Sequence, residues 1–501
     1  MFSTGGPTYV LVPTDLSEMK HSLTIKTGII ALSNVIRMAG LLVINAILAR
    51  ILTRDAYGTY QQVWLVYATI FPVFMLGIPA SLYYFLQHSD ERERGSIMAN
   101  SFLLLLFSGL VMTVLVAAGA GGIAKLFGNQ HLALPLRIFS AYSLFTVSTL
   151  WAEPFYISTN RHSVVLFVTA ASTLGLVISV VPLAALDRPL SLVFLAVVCY
   201  SALRFAGLGL MLGRDRKLIG RSPDRSLTGR QLAYSVPVNA SEIIGSVSKN
   251  VDKVMVSRFL SPSSYAIYAN GAMEIPISAL LVGSISSVIW PSLSRMHQEK
   301  KTGSLLSVWL NTTDKTAFVV MPLFFFFVLY APDFMVTLFS QKYLASATPF
   351  RVHLLVLPLR IAQYAVLLLS MGAAKAVLFG AAGDFVVKFG LSLALIRPLG
   401  YVGPAVAAVC STWLQVFYYL YIAKRILGVG FRKILPWGRL ARTCIIGAIA
   451  CGCSYPVRLS SLDPLHRLLV GVLVFAAVYL LFFYWFARES MPTILSRRRD
   501  S

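Results

Sequence analysis

Nine side chains break into stretches that are otherwise apolar: Asn34, Arg37, Arg204, Glu242, Lys249, Lys253, Glu274, Arg360 and Asp384. The cations among them, with Asn34 beside Arg37, suit an anionic substrate of the phosphate or pyrophosphate kind, which an arginine fork grips bidentately. The carboxylates Glu242, Glu274 and Asp384 suit a coupling site for protons or Na⁺. Some of these charges can also neutralise one another: Asp384 and Lys388 are four residues apart, and Asp252 follows Lys249 by three. At about 100° per residue, Ser235, Asn239, Glu242, Ser246, Lys249 and Lys253 share one helix face, with Glu242 near its middle. Left facing lipid, the buried charges would cost on the order of 30 kcal/mol. A fold with about 5–15 kcal/mol of net stability does not carry that. They must line something polar, and a water-filled cavity is the natural place.

The elements that hold them are long apolar runs. The chain of 501 residues is 57% hydrophobic and 13% charged, with a mean hydropathy of +0.74. Soluble domains carry about 25% charged residues, so the composition is that of a membrane protein. At roughly 20 residues per span, about fourteen transmembrane helices are predicted. They lie near 24–50, 59–86, 97–119, 132–158, 163–186, 190–213, 231–258, 264–294, 306–331, 344–370, 373–396, 401–426, 440–458 and 466–487. The formal charge of +23 does not point to nucleic acid, because Lys and Arg sit in short connections. With the N-terminus inside, inner connections hold about 25 of them against 9 outside, a strong positive-inside bias. Both termini are then cytoplasmic. Prolines 72, 79, 237, 276 and 291 interrupt helices 2, 7 and 8, as static kinks or as gating bends. The five cysteines read as small hydrophobes, and neither a metal nor a cofactor is expected.

Arg50-Ile51-Leu52, Tyr57 and Tyr60 recur as Arg258-Phe259-Leu260, Tyr265 and Tyr268, a shift of 208 residues. Six spans fit in that shift, so both copies enter the membrane in the same direction and form a parallel repeat. The predicted organisation is an all-α polytopic membrane protein. A cytoplasmic tail (1–23) precedes a six-helix bundle (24–213), a basic cytoplasmic linker (214–230), a second six-helix bundle (231–426), and two extra helices with a basic tail (427–501).

Leu48-Ala49-Arg50-Ile51-Leu52 with Tyr57-Gly58-Thr59-Tyr60, and Asp252 to Leu260 with Tyr265-Ala266-Ile267-Tyr268, resemble segments of oligosaccharide flippases. These are the polysaccharide-biosynthesis transporters of the superfamily that includes multidrug and toxin extrusion proteins and lipid II flippases. The resemblance covers about residues 24–426. It implies two six-helix bundles around a cavity that opens alternately to each side. The implied activity is flipping of an undecaprenyl-pyrophosphate-linked oligosaccharide across the cytoplasmic membrane for exopolysaccharide, capsule or O-antigen synthesis. Partners would be that lipid-linked substrate, membrane lipid, and the polymerase and glycosyltransferases of the same pathway. Ala266 departs from the pattern, standing where the first copy has Gly58. Helix 1 lacks the Gly-and-Arg pattern of a lipid II flippase, although the two extra helices resemble the fourteen-helix members.

A lipid II-type flippase or a drug–cation antiporter of the same fold are the alternatives. Arg37, Arg204, Lys249 and Arg360 argue against a cationic cargo. A membrane glycosyltransferase or ligase would need an acidic metal motif or a large outer loop, and the outer connections are short. The chain is therefore read as a transporter and not an enzyme.

Overall fold

A computed structural model describes residues 16–213 and 224–486. The expected tail up to residue 15, the 214–223 part of the basic linker and the basic run from 487 lie outside the described residues. Within a bilayer every backbone N–H must find its acceptor inside the segment, so apolar runs of this length fold as helices. The described residues hold eighteen α-helices and no strand. The first eight are α1 (Leu16–Ile51), α2 (Arg54–Phe74), α3 (Ile78–His88), α4 (Glu91–Leu126), α5 (Ala133–Val147), α6 (Ala152–Ser158), α7 (His162–Ala185) and α8 (Leu190–Gly213). The next eight are α9 (Arg225–Phe259), α10 (Pro262–Gly271), α11 (Pro276–Gln298), α12 (Thr302–Phe339), α13 (Ala347–Leu354), α14 (Tyr364–Ser370), α15 (Ala374–Leu399) and α16 (Val402–Leu427). The last two described helices are α17 (Trp437–Leu459) and α18 (Pro464–Phe486).

Among the described residues, ten helical segments are long and apolar enough to cross a membrane. The number is twelve if two bent pairs each count once: α2 with α3, bent by 40°, and the 341–354 segment with 357–370, bent by 46°. The expected fourteen is reached only by adding α9 and the α10–α11 pair. These two carry the charged stretch from Glu242 to Glu274, so apolarity alone passes them over.

The repeated motif is a helix–cap–helix corner. Arg50 and Arg258 sit in the last turns of α1 and α9. Thr53 and Ser261 then cap the next helices, accepting from the backbone N–H of Ala56 (3.3 Å) and Ser264 (3.2 Å). Such caps contribute about 1 kcal/mol each. Both halves then break in the same places. The second span is interrupted at 75–77 and again at 272–275, and the fourth at 148–151 and again at 355–363. At the first break Leu76 and Gly77 take φ of +52° and +66°, a region that a leucine seldom occupies.

Prolines explain much of the polar contact between helices. A proline has no N–H, so it leaves the carbonyl four residues earlier without its helical donor. Pro72 frees Ala68, whose oxygen accepts from Ser246 Oγ of α9 at 3.2 Å. Pro322 frees Phe318, which accepts from Tyr479 Oη of α18 at 3.0 Å. Pro332 frees Val328, which accepts from Arg351 Nε of α13 at 3.0 Å. The last two helices thus dock on α12 by a hydrogen bond as well as by packing. Close approach there depends on Gly471, where a Cβ would lie 2.4 Å from the Tyr330 ring.

The halves meet along two seams. At the Arg50 end, Tyr57 Oη donates to Asn270 Oδ1 (2.8 Å) and Gln62 Nε2 to Ser257 Oγ (2.8 Å). Arg50 also bonds the carbonyls of Thr337 and Leu338. At the linker end, Gln231 of α9 donates to Ser81 and Ser101, and Tyr234 stacks on Tyr84 with centroids 4.9 Å apart. Asp224 caps α9, and Ser226 holds its carboxyl below the usual carboxylate range.

Candidate functional site

Two helix breaks bring the main cluster together. Glu274 lies in the 272–275 gap between α10 and α11, and Arg360 lies on the 3-10 turn Leu357–Ile361 that Pro358 opens. Arg360 Nη2 donates to Glu274 Oε1 at 2.9 Å. Lys249 and Lys253 on α9 lie within electrostatic range of the same carboxylate. Three cations thus act on this one carboxylate, and the neighbouring acid, Asp252, is buried against Tyr268. The Arg360 and Glu274 side chains are 31% and 48% exposed, so a ligand can reach the pair.

The first half holds a counterpart. Arg37 donates to Asn34 one turn earlier on α1, and its Nη1 lies 3.5 Å from Glu153 Oε2 of α6. Each half thus has an arginine–glutamate pair at its broken fourth span, with the charges exchanged: glutamate on that span in the first half, arginine in the second. Both partners of the first pair are half-exposed.

The remaining expected residues lie elsewhere. Glu242 is exposed on α9 and makes no ion pair or hydrogen bond among the described residues. The polar stripe that contains it is not one continuous lining. Ser235 and Asn239 are buried, and Asn239 donates to the Pro72 carbonyl at 2.9 Å, so this part of the stripe seals α9 against the other half. Arg204 of α8 sits beside Tyr67 and Tyr200, and its Nε is buried without a hydrogen-bond partner among the described residues. Asp384 is buried between α9 and α15, where its Oδ2 accepts from Lys388 Nζ (3.0 Å) and Ser248 Oγ (2.6 Å). The Lys388 ammonium also reaches the Ser248 carbonyl at 3.2 Å, closing the cluster.

The expected pairing of Asp252 with Lys249 is replaced by another. Asp252 is buried, and its Oδ2 accepts from Tyr268 Oη at 2.5 Å and lies 3.9 Å from His353 Nε2. That ring nitrogen is also 3.2 Å from Tyr268 Oη. His353 therefore belongs to an internal polar cluster, and Arg351 caps the Val328 carbonyl. The signal was present in the repeat, since a tyrosine buried after a helix corner needs a partner for its hydroxyl. Among the described residues no group of three or more His, Cys, Asp or Glu side chains could hold a metal.

A family profile described as "Polysaccharide biosynthesis protein" matches residues 47–348. The teichuronic acid biosynthesis protein TuaB of Bacillus subtilis (strain 168) is 24% identical over 249 residues, 48% of this chain and 50% of that one. The match thus spans about half of that relative's length. Among solved structures, the lipid II flippase MurJ in an inward closed conformation superposes with a TM-score of 0.72 at 15% identity, over 93% of this chain and 99% of that one. An inward-facing multidrug resistance transporter of the MATE family in the MOP superfamily gives 0.67 at 12% identity, over 79% and 98%. At these identities the likeness is one of fold.

Proposed function

The chain belongs to the polysaccharide biosynthesis protein family, and from that premise we propose that it is an alternating-access flippase for an undecaprenyl-pyrophosphate-linked oligosaccharide in the cytoplasmic membrane. The observation that carries this reading is the Arg360–Glu274 pair with Lys249 and Lys253 beside it. Its three cations suit a pyrophosphate diester, which carries two negative charges, and the arginine fork matches the oxygens of a phosphate. A cationic drug would meet repulsion at the same place.

In this reading the bundles 24–213 and 231–426 rock against each other, and both termini and the basic linker face the cytoplasm. The seam held by Tyr57 and Asn270 is then the outer gate, and α9 against α3 and α4 forms the inner one. Arg37, with Asn34 and Glu153, would take part of the head group on the opposite wall. Glu274 is the coupling carboxylate this geometry favours, because its partner Arg360 can exchange it for phosphate. Glu242 is a second candidate, free to take a cation. The chain makes and breaks no covalent bond here. It moves what glycosyltransferases build and hands it to a polymerase.

Reconstitution tests the reading. Full-length protein in liposomes, given a fluorescent undecaprenyl-pyrophosphate-linked sugar in the inner leaflet, should expose it to an external quencher faster than empty liposomes do. Arg360→Gln should slow this at least tenfold. Equal rates for protein-free, wild-type and Arg360→Gln liposomes would reject the assignment.

A further inference from the structure

Four helices converge at the Arg50 end of the second half, away from the central pair. Asp333 of α12 is buried just after the Pro332 kink. Arg467 at the start of α18 forms an ion pair with it, Nη1 3.1 Å from Oδ1, while the same nitrogen donates to the Arg458 carbonyl at 3.4 Å, and Arg458 at the end of α17 brings Nε within 3.8 Å of Oδ2. Arg351 of α13, held by the Val328 carbonyl, lies within electrostatic range of both Asp333 and Arg458. The nearest acidic residue of the same connection, Asp463, is taken by His466. Three arginines therefore share one carboxylate.

The donors are as unbalanced as the charge. The Arg458 guanidinium makes no hydrogen bond among the described residues, since 3.8 Å is an ion pair and too long for one; only its backbone carbonyl accepts, from Arg467 Nη1 at 3.4 Å. Arg467 Nε is buried with no partner, and Asp333 Oδ2 accepts no hydrogen bond. A clamp meant only to pin α17 and α18 to α12 would need one arginine per carboxylate. The surplus of two would destabilise a partly desolvated cluster through like-charge repulsion. Arg458 and Arg467 stay 29% and 26% exposed, so the cluster is open to a ligand.

We propose that Arg351, Arg458 and Arg467, arranged around Asp333, form a second anion site, which takes a phosphate group at the end of the terminal helix pair. Three planar forks with free N–H donors recognise phosphate oxygens bidentately. The phosphate can come from the headgroup of an anionic lipid or from a soluble phosphate, and both present the same chemistry. The site does not depend on the transport reading.

The test uses the full-length protein in phosphatidylcholine nanodiscs. One arm titrates inorganic pyrophosphate by calorimetry. The other replaces a tenth of the lipid by phosphatidylglycerol and counts retained anionic lipids by native mass spectrometry. Both arms use the Arg360→Gln background, which removes the fork of the central cluster, and saturable one-to-one binding is expected in one of them: the pyrophosphate arm identifies a soluble ligand, the phosphatidylglycerol arm a lipid headgroup. Arg458→Gln, which leaves Arg467 on Asp333, should weaken it at least tenfold. Asp333→Asn should tighten it several-fold, because the surplus charge rises. Should Arg458→Gln fail to fold, Arg458→Lys, which keeps the charge and loses the fork, should still weaken binding. No binding in either arm, or binding unaltered in the folded Arg458 and Asp333 variants, would overturn the proposal and leave a structural clamp.

Discussion

Tyr57 of α2 donates its hydroxyl to Asn270 of α10 at 2.8 Å, and the same oxygen accepts from Gln61 at 2.7 Å, so one phenol ties the two halves together. One residue further, a Cβ on Gly58 would lie 2.0 Å from the Pro262 carbonyl oxygen. The two helices touch backbone to backbone here. In the second copy Ala266, fully buried, stands in place of Gly58.

Gly58→Val is expected to force this seam apart. With a reporter cysteine introduced at Ser257, buried on the same seam, in a cysteine-free background, maleimide labelling should rise at least tenfold in the valine variant. Tyr57→Phe removes two hydrogen bonds, about 1–2 kcal/mol, and should raise labelling by a smaller factor. No change in either variant would mean that the seam does not hold this end closed.

The Arg360–Glu274 pair offers a test of role. If it were only a structural tie, exchanging the two residues (Arg360→Glu with Glu274→Arg) would restore transport. If Arg360 grips the anion from its helix break, the exchanged variant should fold with wild-type melting behaviour and still transport at least tenfold more slowly. Flipping rates in liposomes and melting in detergent separate the two.

Lys388 is the counter-charge of a buried carboxylate. Lys388→Met strands Asp384 between α9 and α15 and should cost about 3–5 kcal/mol. Adding Asp384→Leu should recover most of that loss, because apolar side chains of similar size replace a buried pair at little cost. Thermal melting of the purified variants measures it. A second variant no more stable than the first would show that the pair contributes more than neutrality.

The proline-freed carbonyls predict an unusual rescue. Tyr479→Phe leaves the Phe318 carbonyl without a donor and should lower stability by about 1–3 kcal/mol. Adding Pro322→Ala returns a backbone N–H to α12, so the double variant should be more stable than the tyrosine variant alone. Additive losses in a double-mutant cycle would refute the link.

Much of this architecture was legible in the chain. The 208-residue shift located two helix corners because Thr53 and Ser261 carry the cap chemistry that any such corner needs. Charges inside spans marked Arg37, Glu274 and Arg360 because an apolar surround makes each costly. Pairings were harder to read. Arg37 meets Glu153 across more than a hundred residues, and Arg360 meets Glu274 across 86, distances fixed by bundle packing and by breaks that no periodicity marks. The stripe on α9 misled in another way. Its spacing placed Asn239 and Ser246 on one face correctly, but their partners are backbone oxygens of α2, and hydropathy cannot register an acceptor on another helix.

Those carbonyls also bear on how the chain assembles. The oxygen of Phe318 is relieved by a hydroxyl 161 residues later, on the last described helix. During synthesis α12 must therefore enter the bilayer with an unanswered acceptor and keep it until α18 arrives. A nascent chain released before residue 479 should be recognised and degraded by quality-control proteases, where one carrying Pro322→Ala should last longer. The α17–α18 hairpin then acts as an intramolecular completion signal, and the second half becomes durable only once that hairpin has been made.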